Sequence, residues 1–533
     1  MAVVEFLISD FEKLCGFPKE KIIEGLTEIG APCEEEPETK KLLVELTPNR
    51  PDWFALEGLA RSLRAYYKKE IRHYSAKKGD YVVNVDASVE KVRPYTVCAV
   101  VRGLEFTDER IVDMVQVQEK LNATLGRRVK KFGIGIYPLD RIAFPLRYTA
   151  MKPEDIRYQP LNYPHEAGAR EIVERHPKGQ EYGHIIKDAD RWPVFVDAKD
   201  EIMALIPIVN SAKTGQVGLG TKDVFIEVSG TDGNTIGAAL NILVTMFADM
   251  GGTIYTVEVR YPRKKIVTPD LEPKRMKVDL KDVNRLLGMK FGAKDAAALA
   301  ARMGYEMKGS YALVPPYRAD VIHEVDVIED IAIAYGYNRF EPSLPNFFVP
   351  GKRNTEHEAL HATMRGMGFL EMTTFVLTNK EKIAKVGYTG EVREISNPSG
   401  EEFTCVRPIL LVDLLNVLET NKTKGLPQKL YELGIAFEAG KERKKLIFGV
   451  MDRKLEYSDV KGYLQTLMQE QGAAFTLEST VNPAFDPARS GDVLVKGERI
   501  GVFGKLRAEI LKQYRLDFEV YACELEADSL IVQ

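Results

Sequence analysis

Residues 318–337 read RADVIHEVDVIEDIAIAYGY. Within this stretch, HEVDVIEDIAIAY has the pattern of a helix that stops at Gly336, a residue type that ends helices without steric cost. Upstream, residues 279–304 hold two short helices, each halted by a glycine, Gly288 and Gly304. YALVPP at 311–316 follows as a strand. Helix, helix, strand, helix predicts a compact winged-helix-like unit over residues 270–346, and EPSLPNFFVPGK at 341–352 reads as the linker that leaves it.

On the N-terminal side, residues 81–262 change pattern to short strands such as YVVNVDA and YTVCAVVRGL, interleaved with a few helices, which predicts an α+β domain. The polar, two-proline stretch KKIVTPDLEPKR at 264–275 marks its end. Residues 1–80 predict a smaller mixed α/β domain: an amphipathic stretch over 11–29, a strand at 42–46, then TPNRPDWFALEGLARSLRAYY. In that last segment Pro51 suits a first helical turn and Asp52 the positive end of the helix dipole, while Leu56, Leu59, Ala60 and Leu63 recur at helical spacing. KKEIRHYSAKKGD at 68–80 reads as a linker.

On the C-terminal side, residues 351–533 alternate strands (TTFVLT, KLYELGIAFE, KLIFGVMD, EVYACELEA) with helices (RPILLVDLLNVLETN, SDVKGYLQTLMQEQG, AEILKQYRL). Short turns join several strands, so a mainly antiparallel sheet covered by helices is expected. The fold class is therefore α+β and multidomain, as the 533-residue length already requires of a chain too long for one core.

The net charge of -4 excludes a globally basic coat for nucleic acid, so the basic runs at 127–131, 263–265 and 443–445 read as solvated loops. The N-terminus carries acidic residues where a secretory signal is basic, and ALNILVTMFADM is too short to span a bilayer. A cytoplasmic protein with no membrane contact is expected. The five cysteines form no C-x-x-C pair, which argues against a zinc ribbon or a disulfide framework. Neither a P-loop nor a dinucleotide fingerprint is present.

Three constellations could carry chemistry. Asp326, Glu329 and Asp330 stand at i, i+3 and i+4, so a helix turns three carboxylates to one face with Asp320 just upstream. A hard divalent cation would relieve their repulsion. An acidic solvated face, with Asp320 capping the helix, fits the same spacing. HEALH places His357, Glu358 and His361 in the zinc-protease pattern, but Met364 stands where the metzincin extension needs glycine and no third histidine follows at family spacing, so a protease is rejected. In VFIEVSGTD the period of two sends Ile226 and Val228 to one face and Phe225, Glu227 and Ser229 to the other. A carboxylate beside a hydroxyl could line a polar pocket. A solvent-facing strand running into a turn fits as well.

Taken in order, TPNRPD with GLARSLRAY, HPKGQEYGH, PIVNSAKT, GTD with ALNILVTMFADMGG, PYRADVIHEVDVIEDIAIAYGYNRF and NPSGEEFTCVRPILLVDLLNVLETN resemble the beta subunits of phenylalanyl-tRNA synthetases of the archaeal and eukaryotic type. The resemblance covers essentially the whole chain. It implies an alpha2beta2 heterotetramer in which the alpha subunit binds ATP and L-phenylalanine and carries out ATP-dependent charging of tRNA(Phe), while beta contributes structure, tRNA contacts and editing. It implies Mg2+, shared with alpha, for Asp320, Asp326, Glu329 and Asp330. The editing domain is expected in residues 81–262, with Phe195, Ala204, Glu227 and Ser229 at its pocket positions. Related proteins tend to have leucine, serine, aspartate and threonine there, so this chain departs at each.

The last third resembles a class II synthetase core without its chemistry. Arg407 precedes a helix rather than lying on a strand where it could hold an ATP phosphate, and the glycines of GVFGKLR are wrongly spaced for a G-x-G-x-x-R motif. No ATP hydrolysis by this chain alone is expected. The second function class that the residues allow is a scaffold that binds alpha and tRNA but no longer edits.

Overall fold

The computed structural model describes residues 2–344, 351, 355 and 357–530. The chain forms two compact units, Met1–Leu344 and Pro345–Gln533. No helix among the described residues is long and apolar enough to cross a membrane.

The first unit begins with an antiparallel sheet of three strands, Ala2–Leu7, Lys41–Leu46 and Cys33–Glu36, in that spatial order. Val4 and Phe6 point inward between exposed Val3 and Glu5, as the period of two requires. The amphipathic stretch over 11–29 proves to be two helices, Ile8–Cys15 and Lys19–Glu28. Gly16 separates them at φ 71°, a left-handed conformation that glycine takes freely.

The segment around Pro51 also differs from expectation. Pro51 and Asp52 open a short 3-10 turn, Pro51–Phe54, and the α-helix starts only at Leu56. The Asp52 carboxylate is taken by Arg50 in a two-pronged ion pair, with both groups buried, so it does not serve as a helix-end anion. Gly58 lets the helix close against this turn, because a Cβ there would run into the Asp52 carbonyl oxygen.

The central sheet has ten strands. Nine run in the order Val209–Asn210, Ile202–Leu205, Trp192–Val196, Leu146–Met151, Lys77–Val85, Thr253–Arg260, Tyr95–Arg102, Val224–Gly230, Phe132–Pro138, and Lys265–Thr268 pairs beside Thr253–Arg260. A stretch read as a linker and one read as a domain boundary therefore contribute to it. Lys77 to Asp80 begin a strand, and residues 265–268 form another beyond the expected boundary at 262. The helix Gly233–Asp249 lies on one face, where Ile226 and Val228 join its core. Phe225 faces the other core with Tyr137, Tyr148, Phe195 and Ala204.

Next, Lys274–Lys277, Tyr311–Val314 and Glu306–Lys308 form a small antiparallel sheet in that order, packed with the helices Leu280–Leu287, Ala293–Arg302 and Glu324–Tyr335. Gly288 and Gly304 take left-handed φ of 66° and 86° where the sequence pattern stops each helix.

The second unit is built on seven strands in the order Leu370–Glu371, Gln428–Glu438, Lys441–Asp452, Glu519–Glu526, Glu498–Leu506, Phe485–Val495, Phe475–Glu478. Every pairing is antiparallel except the first. TTFVLT is mostly not a strand: only Leu377–Thr378 pairs, with Cys405–Val406, outside the large sheet. The helix expected from Arg407 begins at Leu411.

Replacing Gly58 by alanine forces the helix away from the Asp52 carbonyl. Overpacking of this kind should cost about 1–3 kcal/mol, visible as a lowered midpoint when denaturant unfolding is followed through Trp53 fluorescence.

Candidate functional site

The strand Val224–Gly230 is buried along its whole length, because a strand pairs with it on each side and a core covers each face. The solvent-facing reading of VFIEVSG is thereby overturned. Glu227 has no exposure at all. Burial pushes its carboxyl up to about 7, against the downward pull of a hydrogen bond from Ser229 and the charge of Arg93. Ser229 Oγ donates to the Glu227 carboxylate and lies 2.8 Å from the Thr96 hydroxyl.

Gly135 stands opposite Glu227 on the neighbouring strand, where a Cβ would come within 2.5 Å of Glu227 Oε1 and also strike the Tyr137 hydroxyl. The glycines of GIGIYP thus hold space for a polar group, which is the physical content of their packing role. Arg93, 1% exposed, braces the far side by donating to the Ser229 carbonyl at 3.0 Å and the Val129 carbonyl at 3.1 Å.

Glu227 Oε1 has no donor of its own, because the neighbouring Tyr137 hydroxyl, which also pulls the carboxyl down, gives its proton to Asn210; Glu227 lines a cavity of about 240 Å³ with Gly133, His176, Pro207 and Asn210. The cavity forms because the sheet curls until its ends meet. A Cβ on Gly133 would lie 2.7 Å from Pro207, and Tyr137 on the Phe132–Pro138 strand donates its hydroxyl to Asn210 Oδ1 at 3.2 Å. Both ring nitrogens of His176 are engaged: Nε2 lies 3.0 Å from the Leu161 carbonyl and Nδ1 accepts from the Lys178 amide at 3.1 Å. With both nitrogens engaged it is a wall, not a free base.

Of the four pocket candidates, only Glu227 lines this cavity. Phe195 and Ala204 face each other across two strands and are fully buried, with the Phe195 ring stacked on Tyr148 at 4.9 Å and edge-on to Phe225 at 6.3 Å. They form the apolar core behind Phe225, two residues from Glu227. Ser229 meets the cavity only through Glu227. The residues that sequence reasoning passed over are Tyr137, Arg93, His176 and Asn210. The last two lie in HPKGQEYGH and PIVNSAKT, yet nothing in their spacing points to a shared cavity.

The four acidic residues do not converge. The helix Glu324–Tyr335 carries three of them, but Asp326 bends back to accept the Ile322 and His323 amides at 2.8 and 2.7 Å as part of a capping box. Asp320 and Asp330 both clasp the buried guanidinium of Arg318 at 2.7 Å, and Asp330 also accepts from the Tyr305 hydroxyl. Glu329 is exposed. The helix carries the three as the spacing predicts, but Asp326 and Asp330 turn to separate partners, and for Asp320 and Asp330 an internal arginine supplies the positive charge that a cation was expected to supply. Among the described residues no group of three or more histidine, cysteine or acidic side chains gathers for a metal, so as arranged the set does not fit magnesium.

HEALH separates likewise. His361 Nδ1 lies 3.0 Å from the Tyr431 hydroxyl, while His357 stands 3.8 Å from Asp528. In the second unit Arg407 is 1% exposed and fully engaged, donating to Glu432 at 2.7 Å, Asp413 at 3.1 Å, Thr374 Oγ1 at 2.6 Å and the Ile435 carbonyl at 2.9 Å.

Comparison with known proteins agrees with this architecture. Residues 276–337 match the tRNA synthetase B5 domain family and residues 342–527 the phenylalanyl tRNA synthetase beta chain CLM domain family. Phenylalanine–tRNA ligase beta subunits from Archaeoglobus fulgidus and Methanosarcina acetivorans are 36% and 33% identical, covering 99% and 100% of this chain and 98% and 99% of their own. An N-terminal fragment of the phenylalanyl-tRNA synthetase beta subunit from Pyrococcus horikoshii, 35% identical, superimposes with a TM-score of 0.59 over 63% of this chain and 99% of the fragment. The chain belongs to the family of phenylalanine–tRNA ligase beta subunits.

Proposed function

We propose that the chain works in the cytoplasm as the beta partner of an alpha2beta2 phenylalanine–tRNA ligase. The alpha subunit binds ATP and L-phenylalanine and charges tRNA(Phe), and the Glu227 cavity of beta hydrolyses mischarged tyrosyl-tRNA(Phe). The observation that carries the editing reading is the unpartnered Glu227 Oε1, buried and facing a cavity. A pocket shaped for phenylalanine rejects tyrosine only about a hundredfold, since burying the added hydroxyl is the one penalty it imposes. A second pocket can reverse the preference. The phenol donates to Glu227 Oε1, whereas phenylalanine would leave that buried acceptor unsatisfied.

Among the described residues on the lining, His176 is fully hydrogen-bonded and the Glu119 carboxylate is paired with Lys178 at 3.6 Å. Glu227 is accordingly a residue that selects and orients, with hydrolysis by a positioned water. The scaffold reading has one observation in its favour: of the four expected pocket residues, Phe195, Ala204 and Ser229 do not line the cavity.

Adding tyrosyl-tRNA(Phe) to the assembled enzyme separates the two readings. Rapid deacylation that Glu227→Ala reduces by at least about tenfold, the worth of one buried hydrogen bond to a charged group, supports editing. Absence of deacylation by the unaltered enzyme leaves the scaffold.

Glu227 also sets a pH dependence. Its carboxyl binds a proton more tightly folded than unfolded, so the stability it contributes is present at low pH and is lost as pH rises from 4.5 through about 7. Glu227→Gln removes that loss. The variant should match the parent near pH 4.5 and exceed it above pH 7 by an amount approaching about 3 kcal/mol, read from denaturation midpoints across pH.

Magnesium enters only in a narrower form, as an ion completed by the alpha partner around exposed Glu329. Calorimetric titration of the isolated chain with Mg2+ should give no saturable site, and a site should appear when alpha is added and weaken on Glu329→Gln. Saturable binding by the chain alone would count against this.

A further inference from the structure

The second unit contains a cavity of about 260 Å³ on the face of its large sheet. Its charged floor is made by Lys445 and by Glu524 and Glu526 on the adjacent strand, where Lys445 pairs directly with Glu526 and the register sets Glu524 two residues away on the same face. Glu438, near the end of the hairpin, completes the set.

Lys445 is the one cation shared by these carboxylates. Its Nζ lies 2.6 Å from Glu438, 3.5 Å from Glu526 and 3.7 Å from Glu524 Oε1, the last beyond hydrogen-bond reach. Arg499, the other cation on the lining, is taken by Asp492 at 2.9 Å. Three carboxylates therefore face one ammonium.

Glu524 is the informative member. Only 8% exposed, it uses Oε2 to accept the Leu410 and Leu411 amides at 3.1 and 3.0 Å, where the Leu411–Thr420 helix begins. Oε1 accepts no hydrogen bond and belongs to the cavity wall. A buried carboxylate oxygen without a donor is costly, and such groups in folded proteins call for an explanation. Ile409, Leu411, Phe485 and Val502 give the cavity one apolar side, while Tyr388, Thr389 and Asn482 add polar groups to the rest of the lining.

We propose that this cavity binds a small organic amine, whose protonated nitrogen donates to Glu524 Oε1 while its apolar body lies against Ile409, Phe485 and Val502. A cation is called for because a carboxylate is the acceptor left over and negative charge is in excess. An apolar body is called for by the side that Ile409, Leu411, Phe485 and Val502 form. The size follows from volume: a cavity of roughly 150 Å³ holds benzene, so this one accommodates a ring with a short aminoalkyl chain. A divalent metal is the poorer occupant, since Lys445 occupies the centre of the carboxylate set.

The test titrates the full-length chain with 2-phenylethylamine and with its N-acetyl derivative, which keeps the ring and removes the charge, by isothermal calorimetry and ligand-observed NMR. The expected result is saturable binding of the amine, at least about tenfold tighter than the neutral derivative, the ratio of one charge-assisted hydrogen bond. Glu524→Gln should erase that preference. Because Glu524 also receives two backbone amides, Ile409→Trp on the half-buried rim serves as the second variant: it should block amine binding, with circular dichroism showing that the fold is retained. Absence of saturable amine binding, equal affinity for the neutral derivative, or binding that survives Ile409→Trp would overturn the proposal.

Discussion

Asp249, the last residue of the longest apolar helix, carries a side chain with no exposure, and the first unit is arranged around its charge. Arg61 and Arg72 each approach it at 2.6 Å, and the Tyr74 hydroxyl donates to it at 2.8 Å. Arg61 comes from the helix Leu56–Lys68, whereas Arg72 and Tyr74 follow that helix on the way to the central sheet. A buried carboxylate is tolerated only when paired, and stripping away one partner typically costs about 3–5 kcal/mol. The crossing from the N-terminal sheet to the ten-stranded sheet is thus tied to the end of the helix that covers that sheet.

The tie extends further. The Arg61 guanidinium stacks on the Tyr317 ring at 3.7 Å, and the next residue, Arg318, gathers Asp320 and Asp330. A line of charged groups therefore runs from Asp249 through Arg61 and the Tyr317 ring to Arg318, Asp320 and Asp330. This accounts for the fate of the acidic helix. Its inward carboxylate was needed to neutralise an arginine placed by the same network, so it was not left for a metal.

The two units each keep one buried carboxylate oxygen without a donor beside a cavity, Glu227 Oε1 and Glu524 Oε1. In both, the other oxygen is satisfied locally, by Ser229 in one and by two helix-start amides in the other. The side chain is thereby held in place with one acceptor presented to whatever enters. Their surroundings differ. At the Glu227 cavity the other charged groups on the lining, Glu119 and Lys178, pair with each other, whereas Glu524 stands in a set of three carboxylates with a single lysine.

Local pattern was sufficient for much of the architecture. The alternation in VFIEVSG sorted Ile226 and Val228 from Phe225, Glu227 and Ser229, and Gly288, Gly304 and Gly336 marked helix ends, because both depend on neighbours within a few residues. The ordered run of family landmarks identified the kind of protein. What tertiary structure alone decided was partnership: that Asp320 and Asp330 would meet Arg318, that Arg407 would be consumed by Glu432 and Asp413, and that Gly133 and Pro207, more than seventy residues apart, would meet to close a cavity beside Glu227. Periodicity assigns a side chain to a face. Which charge stands across from it, and whether space remains between, depends on how distant segments pack.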